Sequence, residues 1–433
     1  MPSRVVVVGG GVVGACSAYY LARAGFAVTV LDRGKFGAAC SHANCGYICP
    51  SHVLPLATPG AVWSTLKTLF QRNSPLKVRP GVVLRNLGWF LGFARRCNQR
   101  DMLRTGRGIQ ALLNSSRTLF DTLIRDEMLE CEWETKGLLF VFMTLKHFEH
   151  YAHTDELLRR EFAMPAKRFD SAELAALEPA LKPGMAGGYL YESDAHLRPD
   201  RLMSELRRVL TGLGVEFRES CEVSGFVRSG STAAAVRTNT GDVAADQFVV
   251  ATGAWAPLLN AELGCRIPIQ PGKGYSLTMP RPTLCPTYPL IFEEHRVAVT
   301  PFASGYRLGS TMEFAGYDDT MNRSRLGILT AAAKLYLRDP LAEPVQEEWW
   351  GWRPMTFDGL PVIDRSPAMG NVLIAAGHNM LGLSMGTATG KLVAEMLSGG
   401  PTHIDPTPYG LKRFRPSAHS DRRPLGVNPP HAS

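Results

Sequence analysis

The sequence predicts an α/β fold, and three stretches predict it. Residues 5–8 are a run of valines, followed by Gly9-Gly10-Gly11-Val12-Val13-Gly14, an apolar helical stretch and Val28-Thr29-Val30-Leu31-Asp32. That is the order strand, glycine turn, helix, strand. Residues 247–255 carry a second valine-containing strand into Ala251-Thr252-Gly253, and residues 371–397 read as strand, glycine turn and helix again. Pieces of one sheet this far apart in the chain predict a discontinuous, Rossmann-like dinucleotide domain. An α+β unit on a mixed or antiparallel sheet is expected to be inserted into it.

The first unit is the most specific. Four successive valines suit a strand buried on both faces. Gly9, Gly11 and Gly14 fit G-x-G-x-x-G: the first allows the tight turn, the second lets a pyrophosphate approach the backbone, and the third lets helix and strand pack closely. The helix that follows starts with free N–H groups aimed at phosphate. Asp32 ends the second strand, where a carboxylate can take the hydroxyls of an adenosine ribose. The unit by itself leaves FAD and NAD open.

Composition sets the bounds. A chain of 433 residues, 45% apolar and 20% charged, belongs to a soluble globular protein of two or three units. Its net charge of +8 reads first as a mildly basic solvated surface and second as a surface for anionic lipid or an anionic substrate. Lys412, Arg413, Arg415, Arg422 and Arg423 concentrate charge in the tail. Nine cysteines include no C-x-x-C pair, so no metal centre is expected, and free thiols suit a cytoplasmic protein. No export leader or bilayer-spanning stretch is visible, and no P-loop or aromatic-interleaved basic groove points to nucleic acid.

In order along the chain, residues 37–46 form a small, polar loop in which Ser41 and Asn44 can supply hydrogen bonds. Residues 54–97 alternate Pro/Gly breaks with helical stretches. Val62, Leu66, Leu69 and Phe70 share one face; Leu84, Leu87 and Leu91 share another, widened by Trp89, Phe90 and Phe93 and flanked by Arg85, Arg95 and Arg96. Packing on the protein's own core is the favoured reading, and an interfacial helix at a membrane the second. Helices are expected at 109–128, 155–162 and 326–337, a helix capped by Asp200 through Leu213, and strands at 137–143 and 187–191. A small meander over 221–246 is expected to be closed by residues 247–255. Residues 401–433, basic and Pro-rich, are expected to be disordered.

Four segments then align with a known family. The glycine unit, Ser41-His42-Ala43-Asn44-Cys45-Gly46, residues 249–255 and residues 371–397 resemble the D-amino-acid-oxidase-like flavoproteins, and among them the bacterial D-amino acid dehydrogenases. The insert at 67–79, Lys273-Gly274-Tyr275, Gly351-Trp352-Arg353-Pro354 and the turn Gly377-His378 through Leu381-Gly382 extend the resemblance to about residues 1–400.

The resemblance implies non-covalent FAD, held by Gly9, Gly11, Val12, Val13, Gly14, Asp32, Arg33, Ser41, His42, Asn44, Gly46, Val223, Thr252, Gly253, Leu381, Gly382 and Leu383. The N–H groups of the last three would face the flavin where negative charge grows on reduction. It implies oxidation of a D-amino acid to a 2-oxo acid and ammonia through an imine, with electrons passing to a quinone or other non-oxygen acceptor. Oxidation of a cyclic D-imino acid, or a glycine/sarcosine-type oxidase releasing hydrogen peroxide, are the alternatives. Tyr275, Arg307, Arg353 and His378 are the substrate-site candidates, with His42 beside them. Asn379-Met380-Leu381 lacks the arginine that glycine oxidases carry there, so the carboxylate must be held from elsewhere. The cofactor domain is expected over 1–90, 191–258 and 350–400, and the substrate domain over 91–190 and 259–349. Peripheral contact with the inner membrane and association with a like or unlike subunit are the further partner expectations.

Overall fold

The computed structural model describes residues 2–63, 74 and 76–414. Its first layer is a six-stranded sheet in the order Val362–Arg365, Val372–Ala376, Gln247–Val250, Arg4–Val8, Ala27–Leu31, Glu216–Arg218. All neighbours are parallel except the first pair. Val5 to Val8 are all buried, as the valine run requires of a central strand covered on both faces.

Helices Val12–Arg23 and Gly386–Ser398 pack on one another beside this sheet. Small residues make this contact: a methyl group at Gly390 would overlap the Cys16 carbonyl, and one at Gly386 would press on Val12. The Gly/Ala/Thr-rich composition of the later helix is therefore a packing requirement.

The second layer is a nine-stranded mixed sheet. Glu347–Thr356, Ile269–Met279, Gly305–Phe314, Val297–Phe302, Leu290–Phe292, Leu138–Phe142, Gly187–Tyr191 and Lys167–Asp170 follow in order, and Leu76–Val78 pairs with Gly305–Phe314. Strand Gly305–Phe314 carries a bulge, with Ser310 at φ +108° and a register shift opposite Tyr275.

Several sequence expectations change. Glu347–Thr356 is one unbroken strand of the nine-stranded sheet, so a boundary at 350 cuts through it; Leu76–Val78 also belongs to this sheet although it lies within 1–90. Gln247–Val250 joins the six-stranded sheet, while the meander is Val223–Ser229, Thr232–Thr238 and Val243–Ala244. Helix Pro199–Gly212 has Arg198 at its N-cap, and Asp200 sits in its first turn instead. Three helices start earlier than expected: Gln99–Asp126, capped by Asn98, Leu145–Phe162, capped by Thr144, and Arg323–Tyr336.

The helix Leu87–Arg96 divides its apolar residues unexpectedly. Trp89 is buried against Met312, Phe314 and Met355, with Phe90 and Phe93 beside it. Leu84, in the preceding short helix Pro80–Arg85, and Leu87 and Leu91 are 77%, 51% and 48% exposed, so the leucines face solvent and the aromatics form the core contact.

The start of the tail is folded, contrary to expectation. Tyr409 is buried and donates to the Gly108 carbonyl at 2.8 Å, and Arg413 pairs with Asp358 at 2.8 Å. Residues 415–433 lie outside the described residues, as do 64–73 and 75, with Leu66, Leu69, Phe70 and most of the insert at 67–79. Among the described residues no helix is long and apolar enough to cross a membrane.

Candidate functional site

The glycine turn has the expected geometry. Gly9 has φ +108°, and a Cβ there would sit 2.5 Å from the Ala251 carbonyl oxygen. A Cβ at Gly14 would overlap the Gly9 carbonyl, so helix and strand meet at backbone contact. Ser41 is buried and its Oγ accepts from Val12 N at 2.9 Å, at the helix N-terminus; Val13 follows within the same turn. Asp32 accepts from Gly10 N at 2.7 Å and Gly34 N at 2.8 Å, so its carboxylate is aimed by the turn itself. Arg33 lies over the Trp255 ring at 4.7 Å, tying this strand end to the Thr252–Gly253 segment. Val223 opens the meander's first strand, and the backbone two residues before it, Cys221 N, donates to the Asp32 carbonyl.

The Ser41–Gly46 loop lies between the two sheets. Asn44 braces it from within: its Oδ1 accepts from Gly46 N at 2.8 Å and its Nδ2 donates to the Ser41 carbonyl at 3.2 Å. A Cβ on Gly46 would overlap the Leu197 carbonyl. His42 turns outward to Glu347, 2.7 Å from its Oε1, and the carboxylate raises the imidazole's pKa above the ordinary value.

The four substrate-site candidates separate. The pairing of Ile269–Met279 with Glu347–Thr356 sets Arg353 opposite Gly272 and Glu347 opposite Thr278. Alternation puts Tyr275 on the other face of the sheet from Arg353. There it is buried and donates to Glu313 Oε2 at 2.8 Å. Arg307 shares Arg353's face with its backbone about six residues along, roughly 20 Å at 3.3 Å per residue, and both guanidiniums reach toward the Cys45 thiol. It is 1% exposed and donates to Thr278 Oγ1 and the Asn44 carbonyl, both at 2.9 Å. His378 is buried against Thr389 Oγ1 at 3.0 Å, and burial pushes its pKa down to about 3. It stays neutral and braces the turn.

Arg353 is different. It is half-buried, with its guanidinium laid across Gly274, where any Cβ would overlap it. Nη1 donates to the Thr311 carbonyl at 3.0 Å, from the bulged segment; Nε and Nη2 have no acceptor among the described residues. Cys40 and Cys45 of the loop are its neighbours. A fork with free donors at the meeting of loop and sheet is suited to a carboxylate.

The chain matches the model of the FAD dependent oxidoreductase family over residues 4–396. The chain belongs to that family. It is similar to D-amino acid dehydrogenases of Granulibacter bethesdensis, at 31% identity over 95% of this chain and 99% of that one, and of Paramagnetospirillum magneticum, at 33% over 95% and 99%. In fold it is similar to glycine oxidase from Geobacillus kaustophilus, with a TM-score of 0.77, 22% identity, and coverage of 96% of this chain and 100% of that one.

Membership makes FAD the dinucleotide, and the residues present fit it. Within the glycine turn Gly11 is the open position, where a Cβ would meet only Ser41 Oγ, at 3.3 Å, so a diphosphate can approach the backbone there. Thr252 Oγ1 is buried without a partner among the described residues, and a Cβ on Gly253 would meet open space. In the turn after Gly377, Gly382 and Leu383 keep N–H groups with no acceptor among the described residues. Leu381 N–H differs from expectation: it is already spent on the His378 carbonyl at 2.9 Å. The helix itself begins only at Gly386, so Gly382 and Leu383, with Ser384 after them, keep their N–H groups free in the turn before it, among the described residues. Asn379 spends its side chain bracing Thr356, Gly359 and Gly377.

Sequence reasoning missed the residues that hold the loop. Ser276 Oγ donates to the Ala43 carbonyl at 2.8 Å and Thr300 Oγ1 to the Cys45 carbonyl at 2.7 Å. Asp200 and Glu347 face Arg307 Nη2 at 3.8 and 3.9 Å. None carries a local signal, because their partners are backbone atoms or charges tens to hundreds of positions away. Cys49, His52 and Asp194 also converge, but the Asp194 carboxylate is taken by Ser51 N and Oγ.

Proposed function

We propose that this FAD-dependent oxidoreductase oxidises the α-carbon of D-amino acids to 2-oxo acids and ammonia. The observation that carries the reading is the Arg353 fork, with Nε and Nη2 unspent where the cofactor loop meets the substrate sheet. The relatives named D-amino acid dehydrogenase support it. FAD, when bound, supplies a two-electron acceptor for the hydride of the substrate's Cα–H. Arg353 takes the substrate carboxylate through two parallel N–H groups and fixes the amino acid's orientation. Gly274, lacking a side chain, gives the guanidinium its room. No carboxylate is paired with Arg353 among the described residues, so its charge is free for the substrate. The amine enters neutral; hydride loss leaves an iminium that gives up its N–H proton to water, and hydrolysis releases the 2-oxo acid and ammonia. The electrons then pass to a quinone or other non-oxygen acceptor.

The test is anaerobic bleaching of the flavin band by D- and L-amino acids and cyclic imino acids. Bleaching by D-amino acids is expected. Bleaching by cyclic imino acids alone would replace the reading with an imino acid dehydrogenase, and stoichiometric peroxide in air would replace the acceptor. For the acceptor's location, the exposed Leu84, Leu87 and Leu91, with Arg85 and Arg95 alongside, support peripheral contact with an anionic bilayer. Flotation with anionic vesicles, lost in a Leu84→Ser/Leu87→Ser/Leu91→Ser variant, is the expected result.

A further inference from the structure

Three successive carbonyls of the cofactor loop are bonded by three side chains from three adjacent strands. Ala43 O accepts from Ser276, Asn44 O from Arg307 and Cys45 O from Thr300, at 2.8, 2.9 and 2.7 Å. Turning these carbonyls into the nine-stranded sheet leaves the N–H groups of Asn44 and Cys45 on the opposite side, without acceptors among the described residues. Successive free N–H groups make an anion- and acceptor-binding concavity.

Arg307 is the charged member of this clamp. Its Nε is fixed on Thr278, its Nη1 on Asn44 O, and its Nη2 faces Asp200 and Glu347. Glu347 in turn holds His42, the loop's outward side chain, at 2.7 Å. The loop is thus gripped twice, by its backbone through Arg307 and by His42 through Glu347, and the two grips share one carboxylate.

We propose that Arg307 is a positioning residue for FAD: with the His42–Glu347 pair it holds the Ser41–Gly46 loop in its cofactor-binding shape, so FAD retention is set by this clamp and weakens when His42 loses its proton. The inference rests on this loop contacting FAD, not on the identity of the substrate. The groups facing His42 are Glu347 from the neighbouring strand, Asp200 from helix Pro199–Gly212 and Arg307; Arg198 faces Glu347. Glu347 and Asp200 favour the imidazolium, whereas burial and Arg307 oppose it, and the hydrogen bond that His42 donates to Glu347 is the largest influence. A raised imidazole pKa contributes its grip fully below the ordinary value of about 6.5 and loses it as pH rises through the folded-state value.

The experiment is titration of the apoprotein with FAD, followed by flavin fluorescence, across pH 6 to 9. Arg307→Met is expected to weaken FAD binding about tenfold or more, and Arg307→Lys to restore part of it. Wild-type affinity is expected to fall with rising pH, and His42→Asn and Glu347→Gln to flatten that profile at the weaker level. Circular dichroism checks the fold of each variant. If Arg307→Met does not fold, Ser276→Ala and Thr300→Val each remove one neighbouring grip, and each is expected to weaken FAD several-fold. Wild-type FAD affinity in the Arg307→Met protein, or in both replacements, or an unchanged pH profile in His42→Asn, would overturn the proposal. Absence of bleaching by D-amino acids with these FAD results intact would overturn the substrate reading alone.

Discussion

Arg353 and Arg307 are chemically identical side chains on one face of one sheet, and their partners give them different work. Arg307 has its donors committed to Thr278 and Asn44 and its charge faced by Asp200 and Glu347. Arg353 spends one N–H on Thr311. Arg353→Lys is therefore expected to raise KM for a D-amino acid about tenfold or more, the loss of a charge-assisted fork worth roughly 1.5–3 kcal/mol, with FAD affinity unchanged. Steady-state kinetics beside a fluorescence titration check both halves. His378 makes a different prediction. Its pKa is depressed to about 3, so the unfolded chain binds the extra proton between about pH 6.5 and 3. The stability from keeping it neutral is present above pH 6.5 and is lost progressively on acidification. His378→Asn, which can still reach Thr389 with an amide, is expected to make Tm fall less steeply between pH 7 and 4 in thermal melts. A flavin-proximal proton carrier would instead move the pH profile of turnover.

At the scale of the element, helix Leu87–Arg96 shows how a pattern can be right in period and wrong in direction. Three leucines at helical spacing marked an apolar face, but the strand end Met312–Phe314 and Met355 offer a site for flat rings, and Trp89 fills it with its Nε1 on the Pro268 and Met355 carbonyls at 3.0 and 3.2 Å. Trp89→Ala is expected to cost about 3–5 kcal/mol in denaturant unfolding. Serine at Leu84, Leu87 or Leu91 is expected to change stability by about 0.5 kcal/mol or less. The same reasoning explains the helix Gly386–Ser398. Gly386 and Gly390 give helix Val12–Arg23 its close approach, Thr387 meets Ser116 of the long helix and Thr389 meets His378. The donors left for the cofactor are in the turn before it.

Across the whole molecule, the segment after Gly400 ties the long helix Gln99–Asp126 to the edge strand Val362–Arg365 of the six-stranded sheet. Tyr409 is buried and reaches Gly108 of the long helix Gln99–Asp126, while Arg413 pairs with Asp358 and donates to the Leu360 and Pro361 carbonyls. Tyr409→Ala is expected to lower stability by roughly 3–5 kcal/mol, read as a shift of the denaturant midpoint with an unchanged slope. The sequence by itself determined the glycine turn, the place of Asp32 at the end of its strand, the α/β class and the family, because each rests on short motifs that are complete within a few residues, whose order along the chain is read directly. Steric limits at Gly9 and Gly14 are local, and so they are legible. Only the tertiary structure decided which arginine is free, that Tyr275 faces away, that Glu347 and Asp200 meet Arg307, and that residues 401–414 are folded. Each of these depends on strand register and on charges brought together from distant positions, and burial and pairing are properties of the assembled sheets rather than of any stretch of residues.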